Sequence, residues 1–314
     1  RDNRAPIDWA EFDPVEPSFT GVRVIDDISL KELRDFIDWT PFFRAWDLAG
    51  SYPRILDDGV IGEAARSVFV DGQEMLDRIV EEEWLDVRAV VGFWPATSNG
   101  DDIAVQATSD GSTTTLHTLR QQMKHADGRP NYALADFVAP VESGLIDHVG
   151  AFAVTTGFGV AERCAVYEAA NDDYSSIMLK ALADRLAEAT AEYLHDRVRN
   201  QLWGYQAEVF TNEDLIRERY QGIRPAPGYP ACPDHREKRT IFELLGVENA
   251  LGVELTESYA MAPAASVSGL YFAHPESRYF GVRRIGRDQL VDYAERTGSS
   301  TDEAAQWLSP ILTN

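Results

Sequence analysis

The segment Arg224–Pro233 is the most unusual stretch of the sequence, because four of its ten residues are prolines. Proline fixes φ and removes a backbone donor, so the sequence predicts a rigid, irregular loop here. The loop carries two side chains with binding chemistry, Arg224 and Tyr229. A guanidinium pairs bidentately with a carboxylate, and an aromatic ring attracts a cation or stacks on a purine. The loop is therefore a candidate binding element.

Acidic and aromatic side chains outside the loop could complete such a site. Asp38, Glu188 and Glu218 can accept hydrogen bonds from an ammonium group or from ribose hydroxyls. The pair Tyr279-Phe280 offers further aromatic surface. Together with the loop, these residues suit a zwitterionic or cationic ligand that carries adenine. Taken singly, each also has an ordinary interpretation: Asp38 as a helix-end cap, Glu188 as a solvated helix face, and Tyr279-Phe280 as sheet core.

Metal and nucleophile chemistry finds little support in the sequence. It contains no Walker loop, no Gly-x-Gly-x-x-Gly, no His-Glu-x-x-His and no Gly-x-Ser-x-Gly motif. Cys232 and His235 have a Cys-x-x-His spacing, but zinc needs three or four ligands and no second pair is in view. A packed thiol and a loop histidine are the favoured interpretation. With Cys164 as the other cysteine, no disulfide framework is available, and a reducing cytoplasm is the predicted location.

The charge and length of the chain exclude further classes of function. The 314 residues include 29 Lys and Arg against 52 Asp and Glu, a formal net charge of −23. Such a chain repels phosphate backbones and anionic headgroups, so we expect neither nucleic acid nor a membrane as a partner. The most apolar run, residues 149–161, is shorter than the roughly 20 residues that span a bilayer. The chain starts at Arg1 without an apolar signal core, which favours a piece of a longer protein.

The hydrophobic pattern outlines the framework that must position these side chains. Residues 1–28 contain three prolines and little periodicity, which predicts an extended linker segment. A capping box at Ser29-Leu30-Lys31-Glu32 marks the start of the domain. The elements predicted after it are, in chain order, a long helix at about 61–84, a hairpin of strands 87–93 and 103–107 around Asn99-Gly100, a long helix at 172–203, shorter helices at 213–220 and 240–245, strand-like runs at 255–260, 267–273 and 279–282, and two helices after Asp288. Long helices with strands that come as hairpins predict an α+β fold with an antiparallel sheet.

The loop also carries a family resemblance. Residues 220–235, from Tyr220-Gln221-Gly222-Ile223 through the proline loop to Asp234-His235, closely resemble the signature of the S-adenosylmethionine-binding activation domain at the C-terminus of cobalamin-dependent methionine synthase. Further segments resemble that family in the family's order: Asp38-Trp39-Thr40-Pro41-Phe42-Phe43, Tyr52-Pro53-Arg54-Ile55-Leu56, Gly92-Phe93-Trp94-Pro95-Ala96, Ala187-Glu188-Ala189, Ala191-Glu192-Tyr193-Leu194-His195 and Ala265-Ser266-Val267-Ser268-Gly269. The resemblance covers nearly the whole chain.

The resemblance implies a fold and a set of site residues. Residues 29–314 would form one C-shaped α+β domain with a long, bent antiparallel sheet surrounded by helices, in place of the two domains that the length alone suggests. Arg224 would bind the methionyl carboxylate of S-adenosylmethionine, and Asp38 the ligand's polar end or ribose. The same site would be lined by Tyr229, Tyr279-Phe280 and, as a further member, Glu188.

The resemblance also implies a function, with two alternatives kept open. The domain would position the methyl group of S-adenosylmethionine for reductive methylation of cob(II)alamin, which a neighbouring domain of the parent methyltransferase carries, with a flavodoxin-type flavoprotein as electron donor. The isolated domain would bind the ligand without turnover. One alternative is a docking module for the reductase without a working ligand pocket. The other is a stand-alone S-adenosylmethionine-dependent methyltransferase, which the missing glycine-rich nucleotide loop disfavours.

Overall fold

A six-stranded antiparallel sheet forms the centre of the fold in a computed structural model, which describes residues 2–107, 112–125 and 128–313. Its strands are β1 (Gly21–Ile25), β2 (Asp86–Asn99), β3 (Asp102–Val105), β4 (Thr114–His117), β5 (Asp147–Phe158) and β8 (Ser266–Tyr271). Two short strands, β6 (Glu254–Leu255) and β7 (Met261–Ala262), form a separate antiparallel pair. The order is β4-β3-β2-β5-β8, with β1 also paired to β2. The sheet curls into a half-barrel, and the predicted α+β class with a long, bent antiparallel sheet is confirmed.

The helices surround this sheet. They are α1 (Leu30–Leu33), α2 (Thr40–Arg44), α3 (Gly62–Glu81), α4 (Val160–Ala169), α5 (Asp173–Arg197), α6 (Asn212–Ile216), α7 (Glu237–Leu245), α8 (Val247–Leu251), α9 (Arg287–Thr297) and α10 (Thr301–Leu308). The predicted capping box at Ser29 is present, and α5 begins where the Asp172 side chain accepts a hydrogen bond from the Ser175 N–H. The helix predicted to reach residue 203 changes at its end into a π-helical turn, Val198–Leu202.

The sheet is covered on both faces, because successive residues of a strand point to opposite sides. On β2, Val90 lies in a core with Ile241 of α7, whereas Val91 lies in a core with Leu194 of α5. The β5 strand is buried along almost its whole length. This double coverage explains the continuous apolar run at residues 149–161, since a strand buried on both faces needs no polar alternation.

The predicted hairpin is confirmed at the β2–β3 turn. Asn99 pairs with Asp102 across the turn, and Gly100 has φ of +64°. A positive φ is favourable for glycine, which has no Cβ to clash.

The first 28 residues are attached to the sheet rather than only lying across the surface. The strand β1 pairs antiparallel with β2, with Gly21 opposite Phe93. Upstream of it, the Ser18 N–H donates to the Leu202 carbonyl at 3.0 Å, and the Trp203 indole donates to the Val15 carbonyl at 2.8 Å. A five-residue strand can add to a sheet edge through main-chain bonds, which the side-chain periodicity of a proline-containing segment does not show.

Two strand predictions in the last third are wrong. Residues 279–282 form no regular strand, because the Val282 N–H donates to the Pro230 carbonyl at 2.8 Å and so ties this segment to the proline loop. The run 255–260 contains a turn closed by a hydrogen bond from Tyr259 N–H to the Thr256 carbonyl. The strand β6 ends before it, at Leu255.

Candidate functional site

The proline loop is fixed to the sheet by main-chain hydrogen bonds. Ile223 and Phe272 exchange both of their backbone bonds at 3.0 Å, and the Leu270 N–H donates to the Pro225 carbonyl at 2.9 Å. The loop therefore continues the edge of the sheet beyond β8. Inside the loop, the Gly228 N–H donates to the Cys232 carbonyl at 2.7 Å. These bonds make the loop a rigid support for Arg224 and Tyr229.

Arg224 is held from two directions. Its backbone N–H donates to the Tyr279 hydroxyl at 3.0 Å, and its Nη2 contacts Glu192 Oε2 at 2.5 Å. Its Nε is buried and has no hydrogen-bond partner. Burial, the largest single influence, acts to lower the pKa of Arg224. Glu192, Tyr220, Tyr279 and Glu188 together outweigh it, and the pKa lies above its ordinary value. The guanidinium is therefore permanently charged, with a donor left for another acceptor.

A cleft of about 350 Å³ lies beside this arginine. Its walls come from the proline loop, α5, β5, β8 and the segments that follow α6 and β8. They bring together five of the six residues predicted from the sequence: Glu188, Arg224, Tyr229, Tyr279 and Phe280. Tyr229 stands at the rim with 58% of its surface exposed. Phe280 packs inward against Tyr132 and Phe137. Their roles in binding stay predictions.

Two carboxylates give the cleft a cation-binding character. Burial raises the pKa of Glu188, and the nearby Arg224 charge opposes that rise. The pKa of Glu218 is raised by burial in the same way. Beside one guanidinium, the two carboxylates leave the cleft with an excess of negative charge once both are ionised. A ligand with one carboxylate and positive groups matches this pattern.

Asp38 does not line this cleft. Its carboxylate accepts a hydrogen bond from the Thr40 N–H at 2.9 Å, directly before α2. The N-cap residue of α2 is Trp39 rather than Asp38. Two residues earlier, the Phe36 ring packs edge-on against Tyr193 of α5, with centroids 5.2 Å apart. The segment therefore reaches the same helix as Glu188, and the predicted role of Asp38 in binding stays a prediction.

Two acidic residues, Glu218 and Glu192, lie closer to the cleft arginine and its surroundings than the sequence indicated. Glu218 was recognisable only as one of several possible acids, and Glu192 entered only within a family-like segment. Glu192 is buried and lies one helical turn after Glu188. A carboxylate on the buried face of an amphipathic helix was the available signal, because such a charge needs a partner.

Cys232 and His235 lie in packed surroundings. Cys232 is buried in the core, and burial raises the pKa of its thiol. The His235 ring lies against Gly228 in the loop. Among the residues that the structure describes, no group of three or more His, Cys, Asp or Glu side chains could hold a metal ion. Within the same residues, every helix is too short or too polar to cross a membrane.

Comparison with known proteins assigns this geometry to a family. The family model "Vitamin B12 dependent methionine synthase, activation domain" matches residues 29–298. The chain belongs to this activation-domain family. A crystal structure of the MetH reactivation domain bound to AdoHcy is 52% identical, with a TM-score of 0.95, and the match covers 100% of this chain and 97% of that chain. As an activation domain the chain is part of a methyltransferase, and cobalamin belongs to another domain of the parent enzyme.

Proposed function

We propose that this activation domain binds S-adenosylmethionine in the cleft and presents its sulfonium methyl group to cobalamin on a neighbouring domain, so that oxidised, inactive enzyme regains its methyl group. The observation that carries the proposal is Arg224, fixed on a rigid loop and facing two carboxylates and aromatic walls in one cleft. The similar MetH reactivation domain was solved with AdoHcy, which is S-adenosylmethionine after loss of its methyl group.

The residues of the cleft fit this ligand. A volume of about 350 Å³ lies within the range of roughly 300–1,000 Å³ that small-molecule sites have. Arg224 lines the cleft, and a guanidinium pairs well with a ligand carboxylate. The rings of Tyr229 and Tyr279 offer surfaces for adenine or for the sulfonium group.

Charge supports the methylated form of the ligand in particular. S-Adenosylmethionine carries an ammonium and a sulfonium cation against one carboxylate, whereas AdoHcy has lost the sulfonium charge. With Arg224 matched to the carboxylate, Glu188 and Glu218 provide two negative groups for the two cations. We therefore propose that the cleft favours the ligand before methyl transfer over the product after it.

The chain's contribution to the reaction is placement rather than proton transfer. When bound on the neighbouring domain, cobalamin supplies reduced cobalt that accepts the methyl group, after one electron from a flavodoxin-type donor. Arg224 and the carboxylates anchor the amino-acid end of the ligand, and the aromatic rim orients the rest, so that the methyl carbon faces out of the cleft. Such fixed orientation replaces a bimolecular encounter and accounts for much of a barrier on its own. The sulfonium leaves as a neutral thioether, so no general acid is needed.

Isothermal titration of S-adenosylmethionine into this chain tests the binding step. We expect saturable binding of one ligand, weakened about fivefold in Glu188→Gln and in Glu218→Gln, because a partly exposed charge pair contributes up to about 1 kcal/mol. Glu248→Gln is the matched control, since Glu248 is exposed on α8 and outside the cleft. Absence of heat and of thermal stabilisation would instead favour a docking module for the reductase.

A second assay tests the methyl-transfer step. The chain is mixed with a cobalamin domain in the cob(II)alamin state and with reduced flavodoxin, and methylcobalamin is followed by its absorbance. We expect one AdoHcy formed per methylcobalamin, and none when the cobalamin protein is left out. Turnover of S-adenosylmethionine without that protein would favour a stand-alone methyltransferase.

A further inference from the structure

A buried row of charges lies behind Arg224. Glu192 Oε2 contacts Arg224 Nη2 at 2.5 Å, and Glu192 Oε1 lies 3.9 Å from Arg199 Nη1. Arg199 in turn contacts Asp196 Oδ1 through Nη2 at 2.9 Å. Charges of alternating sign thus run from the end of α5 to the wall of the cleft. This arrangement connects the cleft to the buried Arg199 at the end of α5.

Arg199 occupies this position because of the π-helical turn at the end of α5. The extra residue of a π turn shifts the side chains that follow it around the helix axis, and such turns are common at functional sites. Arg199 is fully buried, and its guanidinium carbon lies 4.1 Å from the Tyr220 ring centroid. A buried guanidinium with this packing is a fixed positive charge, and it attracts Glu192 from the side away from the cleft.

The row is incompletely satisfied on its own. Glu192 Oε1, the Nε and Nη1 of Arg199, Arg224 Nε and the Tyr220 hydroxyl are all buried without hydrogen-bond partners. A cluster this large is unusual, because buried polar atoms almost always find partners. Groups kept for structure alone would be expected to satisfy one another. These instead surround the arginine that faces the cleft.

We infer that Glu192, held in place by Arg199, is the positioning residue that orients Arg224 toward a ligand carboxylate. The inference rests on the proposed function. A free arginine samples many rotamers, and fixing it in one of them costs side-chain entropy. The contact with Glu192 orders Arg224 before the ligand arrives and occupies only one of its two terminal nitrogens, Nη2. Glu192 also separates the like charges of Arg199 and Arg224, which would otherwise repel.

Comparing two ligands shows whether Glu192 positions Arg224 for the carboxylate or has only a general structural role. S-Adenosylmethionine carries the carboxylate, and decarboxylated S-adenosylmethionine keeps the adenosine, sulfonium and ammonium groups without it. In Glu192→Gln we expect the affinity for S-adenosylmethionine to fall tenfold or more, and the affinity for the decarboxylated ligand to change less than twofold. Titration calorimetry gives both numbers, and Glu248→Gln again serves as the control. In an Arg224→Gln background, Glu192→Gln should have no further effect.

The variant Glu192→Asp controls for a folding defect in Glu192→Gln. It keeps the buried negative charge and only shortens the side chain that reaches Arg224. It should show the same selective loss, with its fold checked by thermal unfolding. Equal loss for both ligands, or full affinity for S-adenosylmethionine in both variants, would overturn the positioning role while leaving ligand binding intact. A wild-type chain that binds neither ligand would instead remove the proposed function, and the positioning role with it.

Discussion

Glu237 makes the stability of the domain depend on pH in an unusual direction. It is the first residue of α7, directly after the proline loop, and it is buried with Oε2 lacking a partner. Burial, with the charge of Asp234, raises the pKa of Glu237 to about 8 from an ordinary value of 4.5. Between these two values the folded state holds a proton that the unfolded state releases. Stability therefore falls as pH rises through this window.

The size of the effect follows from the difference in pKa. Each pKa unit corresponds to 1.36 kcal/mol. Because the unfolded state ionises first, the free energy of unfolding falls by about 3 kcal/mol at pH 7 and by about 5 kcal/mol above pH 8, compared with its value below pH 4. The substitution Glu237→Gln keeps the shape of the side chain and removes its titration. We expect the variant to be more stable than wild type by about 3 kcal/mol at pH 7, with the gain disappearing below about pH 4.

Urea unfolding followed by circular dichroism, repeated across this pH range, measures the difference directly. The difference between variant and wild type isolates Glu237, because other buried acids such as Asp147 titrate in both proteins. Glu243→Gln is the matched control, since Glu243 is exposed on the same helix. If the stabilities of Glu237→Gln and wild type run parallel with pH, the carboxyl is not protonated in the folded state and the reasoning is refuted.

Two further predictions concern the cleft and its loop. Affinity for S-adenosylmethionine should fall as pH is lowered through the raised pKa values of Glu188 and Glu218, because protonation removes the charges that meet the cations; titration calorimetry at several pH values checks this, and a flat profile contradicts it. Gly228→Ala should lower the melting temperature and the ligand affinity, because φ is +93° and a Cβ would lie 2.2 Å from the His235 ring. Gly204→Ala is the control, because Gly204 also has a positive φ, +81°, but open space around an added Cβ. Equal losses of melting temperature in the two variants would show that backbone strain alone, and not the contact with His235, is responsible.

Local signals in the sequence predicted much of the fold. The helical repeat located α3 and α5, and Asn99-Gly100 located the hairpin, because these patterns depend on neighbours in the chain. The attachment of β1 and the path of residues 279–282 depend on main-chain bonds to distant segments, to β2 and to Pro230. Hydrophobic periodicity carries no record of such bonds.

The site residues also differ in how far local sequence predicts them. Arg224 and Tyr229 were predictable because a proline-rich loop is unusual as a sequence. The contact between Glu192 and Arg224 joins residues 32 positions apart, and it exists only once α5 packs beside the loop. A glutamate within a helix resembles a solvated residue until its burial is known.

The pairing of β1 with β2 determines where this polypeptide can be cut. A chain begun at Ser29, where the family match starts, would leave one edge of β2 at residues 89–93 without its β1 partner, although the other edge stays paired with β5. Ala89, Val91 and Phe93 of this segment are fully buried in the intact sheet. An open edge flanked by such side chains is a template for intermolecular strand pairing. Gly21–Ile25 cover this edge of β2, so we expect a domain expressed from upstream of Gly21 to associate less than one expressed from Ser29.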